Sequence, residues 1–268
     1  MSPDLMAIVN VTPDSFYSPS RINHDDLEEK IQKCLEMVFQ GATILDIGGE
    51  SSRPGSEYVE EAEELQRVIP LIKALRTQTD LPISVDTRKA KVAEAAFQAG
   101  ANWINDISAL EDDPKMASVL AETGMKIVLM HKRGTPSTMQ MMVHYENVVD
   151  EVGDYLEARK ELALKKGISE SQILVDPGIG FAKDLKGNLA LMHSLGSLKA
   201  RLGPLVVGAS RKRWIGEISG APVEDRLPGS LALAIWAQSN GVDVIRVHDV
   251  AATQQALLVA RAIARGDV

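Results

Sequence analysis

Apolar runs that end in a hydrogen-bonding side chain recur along the whole of this chain. MAIVNV carries Asn10, PISVDT ends at Asp86 and Thr87, and ANWINDI carries Asn105 and Asp106. KIVLMH reaches His131, QILVDPGIGF carries Asp176, PLVVGASRK runs into Ser210, Arg211 and Lys212, and VDVIRVHD carries Arg246 and His248. Eight strand-like runs are present, near 6–11, 43–48, 82–86, 101–107, 125–131, 172–176, 204–209 and 242–248. They are rich in Val and Ile and apolar on both faces, as buried parallel strands must be.

Amphipathic helical stretches lie between these runs. In 25–40 the apolar residues fall at helical spacing after the capping candidates Asn23 and Asp25. The stretch 88–99 stops at Gly100, a helix-ending glycine, and 146–166, 187–202, 229–240 and 250–265 read as further helices. Pro70 falls inside the helical pattern 59–77, so a kink or break is expected there. Strict β–α alternation with right-handed crossovers gives either a closed barrel or an open doubly wound sheet. Eight units in 268 residues favour one (β/α)8 barrel domain over 1–268. An open sheet would gather its site at one switch point, whereas polar strand ends here occur nearly all the way round. Their convergence at the carboxyl ends of the strands is where a barrel places its active site.

Composition narrows the function. A net charge of −8 argues against sequence-independent nucleic-acid binding and against docking on anionic lipid. The single cysteine, Cys34, excludes an internal disulfide and lies at helical spacing with Leu27, Ile31, Leu35 and Val38, as a buried small hydrophobe would. No signal-like N-terminus and no bilayer-length apolar run is visible, so a cytoplasmic enzyme is expected.

Asp86 and Asp176 each sit where an apolar strand meets its loop; each is either a helix cap or a carboxylate aimed into the barrel mouth. Asn105 shares that ambiguity, and alternation turns Asp106 the other way. GASRKRWIGEISG places Arg211 and Lys212 directly after a strand, within reach of an anion, and Arg246 and His248 share one face of the last strand. GGESSRPGS, 48–56, is a flexible loop with Ser51, Ser52 and Arg53 but no P-loop pattern. His131, His144 and His193 lack metal-ligand spacing, and Met139 to Met142 read as packing or lid residues.

In order, NVTPDSF, GGESSRPG, SVDTRK, INDI, LMHKRGTPSTMQ, DPGIGFAK, GASRK and RVHDV closely resemble dihydropteroate synthase, from about Ala7 to the final helix. The resemblance implies a TIM barrel, usually a homodimer, that condenses 6-hydroxymethyl-7,8-dihydropterin pyrophosphate with p-aminobenzoate. The products are 7,8-dihydropteroate and pyrophosphate, in folate synthesis. Mg²⁺ accompanies the pyrophosphate, with Asn10 as its protein contact, and sulfonamides mimic p-aminobenzoate. It assigns Asp176, Asn105 and Lys212 to the pterin ring, Phe181 and Met130 to apolar contact with it, and Gly208 to the same pocket. Asp86 would stabilise the cation left when pyrophosphate departs, with Arg246, His248 and Asn10 receiving the leaving group. Phe16, Ser52, Arg53 and Pro54 would close over p-aminobenzoate. The aniline nitrogen has a free lone pair, so no strong base is required and substitution with SN1 character fits.

Three departures from the family pattern stand out. DSFYSPS replaces DSFSDGG in the first loop, so Ser18 stands for an aspartate associated with magnesium and pyrophosphate, although Asp14 remains. Ser52 stands for Thr and keeps the hydroxyl; Ala182 stands for Gly. The altered first loop is expected to close differently and to change affinity for p-aminobenzoate and sulfonamides. Two other functions compete. A barrel that moves methyl groups between a folate and a corrinoid would share the pterin carboxylates but bind no pyrophosphate, and the SRK and RVH segments speak against it. A silent ligand-binding relative is suggested by loop 1 alone and opposed by the intact Asp86, Asn105, Asp176, Lys212, Arg246 and His248.

Overall fold

A computed structural model describes residues 2–11, 24–51, 55–135 and 137–266. Phe16, Ser52, Arg53 and Pro54, with Asp14, Ser18 and Asn23, lie outside the described residues. The chain alternates β1 (Asp4–Asn10), α1 (His24–Phe39), β2 (Ile44–Gly48), α2 (Glu61–Arg76), β3 (Ile83–Asp86), α3 (Ala90–Ala99), β4 (Trp103–Asp106), α4 (Met116–Thr123) and β5 (Lys126–Met130). It continues with α5 (Val148–Lys165), β6 (Ile173–Asp176), α6 (Leu185–His193), α7 (Leu195–Leu202), β7 (Val206–Val207), α8 (Arg213–Ser219), α9 (Leu227–Ser239), β8 (Val244–Val247) and α10 (Val250–Arg265).

Every strand pairing is parallel, in the order β6-β5-β4-β3-β2-β1-β8-β7. A parallel bridge between Val175 and Leu205 joins the two edges, so the sheet closes into a (β/α)8 barrel. β7 is two residues rather than the six expected. The expected run begins at Pro204, which lacks an N–H but still accepts from Val175 N at 3.0 Å, so the closure survives a shortened strand.

The register sorts the strand residues into two phases. Odd and even neighbours point to opposite faces. One phase (Val9, Leu45, Ile47, Val85, Ile104, Ile127, Leu129, Val175, Val207, Ile245) packs outward with Leu71, Ile72, Ala93, Leu120, Leu156 and Leu257 of the helices in the main core. The other phase lines the lumen. Met6, Ile44, Trp103, Val128, Leu174, Val206 and Val244 form a separate apolar plug toward the amino ends of the strands. Continuing that phase upward gives Asn10, Asp46, Asp86, Asn105, Met130, Asp176, Gly208, Arg246 and His248.

Two helical expectations change. α2 runs unbroken through Pro70. Val68, Leu71, Ile72 and Leu75, all buried, anchor it on both sides of the proline, and packing of that apolar face offsets the roughly 3 kcal/mol a mid-helix proline costs. The single stretch expected over 187–202 is two helices meeting at Ser194, which caps one and opens the next. Cys34 is buried as expected, and burial pushes its thiol up to about 12.

Candidate active site

A carboxylate–guanidinium chain spans the lumen. Arg246 on β8 donates through Nε to Asp46 Oδ2 at 2.6 Å and through Nη2 to Asp86 Oδ2 at 2.9 Å. Asn105 on β4 donates through Nδ2 to the same Asp46 oxygen at 3.2 Å. Asp46 is fully buried, and its Oδ1 has no hydrogen-bond partner among the described residues. An orphaned buried acceptor costs roughly 1–3 kcal/mol. Burial pushes Asp86 up to about 7, against the pull of the Arg246 charge. Burial also pulls Arg246 downward, but the charges of Asp46 and Asp86 outweigh it and hold the guanidinium above its ordinary value.

Across the mouth, Asp176 ends β6 and accepts Gly178 N at 2.7 Å through Oδ1. Burial raises its pKa, against that hydrogen bond and the Lys212 charge. Lys212, at the N-cap of α8, lays its ammonium 4.3 Å from the Phe181 ring centroid. Burial pushes Lys212 down to about 8, against the Asp176 charge. Gly180, at φ +85°, leaves room for this lysine, since a Cβ would sit 3.1 Å from Lys212 Cδ. Met130 is buried in register with Asp176, and Gly208 lies under the Arg246 side chain, where a Cβ would be 3.8 Å from Arg246 Cβ.

The lumen thus collects Asp86, Asn105, Asp176, Met130, Gly208 and Arg246, with Asn10 ending β1 and His248 just after β8. His248 Nδ1 lies 3.1 Å from Ser210 Oγ, which ties the end of β8 to the segment after β7. Alternation separates Asn105 from Asp106 as expected. Asp106 accepts Ser108 N and Leu110 N at 2.8 Å and Ser108 Oγ at 2.6 Å, which makes it the organiser of the next loop.

Arg211 is not aimed at the mouth. Its Nε and Nη2 each reach Asp249 at 2.8 Å, and Nη1 donates to the Val223 and Glu224 carbonyls. A left-handed backbone at Arg211, φ +54°, turns it away while Lys212 enters the lumen. Of the methionine run, Met139 is buried and Met141 is exposed.

Three features were not legible as site components. Asp46 sits mid-strand between Leu45 and Ile47, although its phase with Ile44 and Gly48 was a readable signal. Lys183 is buried, its ammonium 3.0 Å from His131 Nδ1 and donating to the Gly178 and Phe181 carbonyls at 3.0 and 2.8 Å. Burial pushes Lys183 down to about 7 and drives His131 well below its ordinary value. Glu50, following the Gly48–Gly49 pair, is gripped by Arg88 and by Lys89, whose ammonium also pairs with buried Glu64. This fixes the root of the segment that leads to Ser52 and Arg53.

Among the described residues no group of three His, Cys, Asp or Glu is arranged to hold a metal ion. Asn10 ends β1 at the mouth, and its amide carries an oxygen, the donor type that Mg²⁺ takes. No helix among the described residues is long and apolar enough to cross a membrane.

Residues 6–248 match the pterin binding enzyme family. The chain is 45% identical over 263 residues to the dihydropteroate synthase of Synechocystis, covering 97% of this chain and 90% of that protein. It is 42% identical over 260 residues to the enzyme of Escherichia coli, covering 97% and 91%. Xanthomonas albilineans dihydropteroate synthase with 4-aminobenzoic acid superposes with a TM-score of 0.90 at 43% identity, covering 98% of this chain and 93% of that one. The Yersinia pestis enzyme in complex with a sulfonamide drug gives 0.91 at 39% identity, covering 98% and 95%. With the family model matched over residues 6–248 and relatives at 42–45% identity covering 97% of the chain, the chain belongs to the dihydropteroate synthase family of pterin-binding enzymes.

Proposed function

We infer that this barrel condenses 6-hydroxymethyl-7,8-dihydropterin pyrophosphate with p-aminobenzoate, giving 7,8-dihydropteroate and pyrophosphate. The observation that carries the reading is the pairing of two buried carboxylates, Asp86 and Asp176, with two half-buried cations, Arg246 and Lys212, in one lumen. A pterin presents adjacent N–H and NH₂ donors, which the Asp176 carboxylate accepts together. Asn105, with its amide nitrogen engaged by Asp46, offers its oxygen as a further acceptor. Lys212 donates to the ring carbonyl and N5, and Phe181 and Met130 line the flat ring.

Arg246, His248 and Asn10 receive the pyrophosphate. As the bond from the exocyclic methylene to the leaving oxygen breaks, the electron pair goes with pyrophosphate and positive charge spreads into the pterin. Asp86 stabilises that charge as it develops. The aniline nitrogen of p-aminobenzoate then forms the new C–N bond and gives up a proton to solvent or pyrophosphate. Asn10 would hold a Mg²⁺ ion through its amide oxygen, and that ion would supply positive charge to the leaving group. Ser52, Arg53, Pro54 and Phe16 close over p-aminobenzoate, and sulfonamides compete there.

The molecule is cytoplasmic and a homodimer in this reading. Support for the dimer is the apolar surface that α10 exposes through Leu258, Val259 and Ile263. The test is product identification by mass after incubation with the pterin pyrophosphate, with and without p-aminobenzoate and Mg²⁺. Dihydropteroate that depends on p-aminobenzoate is expected. Tight pterin binding with no aryl adduct would contradict the reading.

A further inference from the structure

Asp46 touches both Arg246 and Asn105 yet has no part in the chemistry above. One of its oxygens accepts from Arg246 Nε at 2.6 Å and from Asn105 Nδ2 at 3.2 Å. Its other oxygen has no partner among the described residues, and the side chain is wholly buried. Its register partners are Ile8 and Ser84, with the apolar Ile44 and Met6 in the layer below, so none of these neighbours pairs its charge. A carboxylate kept in such a layer with one oxygen unsatisfied works against stability. What it does achieve is geometric.

A guanidinium has five N–H donors. Asp46 takes the one on Nε, Asp86 takes one on Nη2, and the rest remain for an anion. Because the Asp46 bond is to Nε, nearest the side-chain stem, it fixes the guanidinium plane while leaving the outer edge to exchange partners. A planar fork aimed in this way suits a bidentate phosphate contact. The same oxygen orders the Asn105 amide. With Nδ2 turned down to Asp46, Oδ1 is turned away from Asp46 as an acceptor. A rotated amide would offer a donor instead and repel the donor edge of a ring.

We propose that Asp46 is a positioning residue for the pterin pyrophosphate: it sets the Arg246 guanidinium for the leaving group and the Asn105 amide for the ring. This rests on the dihydropteroate synthase reading. Asp46 reaches the substrate only through those two side chains. During turnover the Nε bond to Asp46 persists, and the Nη2 bond to Asp86 is the one exchanged for a phosphate oxygen. Asp86 is then released to face the developing cation.

The test compares the full-length wild type with Asp46→Asn, Arg246→Lys and the double variant, with each substrate varied in turn. Binding of 6-hydroxymethyl-7,8-dihydropterin and thermal unfolding are measured on the same samples. Asp46→Asn is close to isosteric but loses the charge and presents a donor to Asn105 or Arg246. The expected result is a KM for the pterin pyrophosphate about tenfold higher, a kcat about tenfold lower and a KM for p-aminobenzoate within about twofold of wild type. In the Arg246→Lys background the same change costs less than in the wild type, because one of the two partners of Asp46 is already altered and only the Asn105 contact remains to be lost. Kinetics of Asp46→Asn within about twofold of wild type would overturn the proposal. So would the same loss in both backgrounds, or a fall in kcat with both KM values unchanged, which reports fewer folded molecules. Should Asp46→Asn not fold, Asp46→Ser carries the same comparison. If the wild type itself makes no dihydropteroate, the functional reading fails. Asp46 is then judged by dihydropterin binding alone, expected to weaken about tenfold in the variant.

Discussion

Arg246 and Asp86, 160 residues apart in sequence, meet with Nη2 2.9 Å from Oδ2 in a lumen closed below by apolar side chains. The contact exists because β3 and β8 point the same alternation phase inward. It ties the group that would take the leaving pyrophosphate to the group that would meet the cation it leaves behind.

Asp86→Asn lowers kcat by about 10²–10³-fold, the range for losing one preorganised electrostatic partner of a transition state. Burial pushes the Asp86 carboxyl up to about 7, so the ionised form gains population as pH rises through neutrality. The kcat/KM for the pterin substrate therefore climbs through about pH 7 in wild type, and the residual activity of the variant lacks that limb. A pH–rate profile from 5.5 to 8.5 checks both.

Lys183→Met leaves the Gly178 and Phe181 carbonyls without their donor and destabilises the fold by about 1–3 kcal/mol. The folded pKa of Lys183 is depressed to about 7 from its ordinary 10.5. Its contribution to stability is fully present above 10.5 and is lost as pH falls toward 7. Wild type thus gains on the variant as pH is raised from about 7 toward 10. Denaturant midpoints at several pH values read this, and a constant difference would show the lysine to be untitrated.

Glu50→Gln loosens the grip of Arg88 and Lys89 on the root of the Ser52–Arg53 loop. The KM for p-aminobenzoate rises severalfold, while the KM for the pterin substrate stays within about twofold. Initial rates with each substrate varied check the split.

Ala182 stands at φ +50°, a left-handed backbone that a Cβ opposes, where the family pattern has glycine. Ala182→Gly is expected to stabilise by about 1 kcal/mol, less the entropy a glycine adds to the unfolded chain. Thermal unfolding measures it. The Ala182 carbonyl already accepts the Tyr145 hydroxyl at 3.0 Å, so the loop geometry is held without the substitution.

Arg211→Ala breaks the fork to Asp249 and costs about 1 kcal/mol of stability. It moves the KM for the pterin pyrophosphate by less than about threefold, whereas Lys212→Ala moves it by tenfold or more. Comparable effects at both positions would return Arg211 to the mouth.

These residues show what was legible in the sequence. Asp86, Asn105, Asp176 and Arg246 stood out because each breaks an apolar run near its carboxyl end, and period-two alternation then put them in one lumen. Asp46 breaks its run in the middle, where a polar residue reads as noise until the register pairs it with Ile8 and Ser84. Lys183 was opaque because its partners are loop carbonyls and a histidine 52 residues away. Arg211 and Lys212 are chemically alike and adjacent; a single left-handed residue, which no spacing announces, sends one out and the other in. Pro70 misled because a local rule met a helix held at four buried apolar positions.

The most direct measurement is a crystal structure with 6-hydroxymethyl-7,8-dihydropterin pyrophosphate bound. The account predicts the amino edge of the ring within hydrogen-bond distance of the Asp176 carboxylate and the pyrophosphate on Arg246 and His248, with Arg246 Nε still on Asp46. A ring seated outside the lumen, or phosphates held away from Arg246, would contradict it.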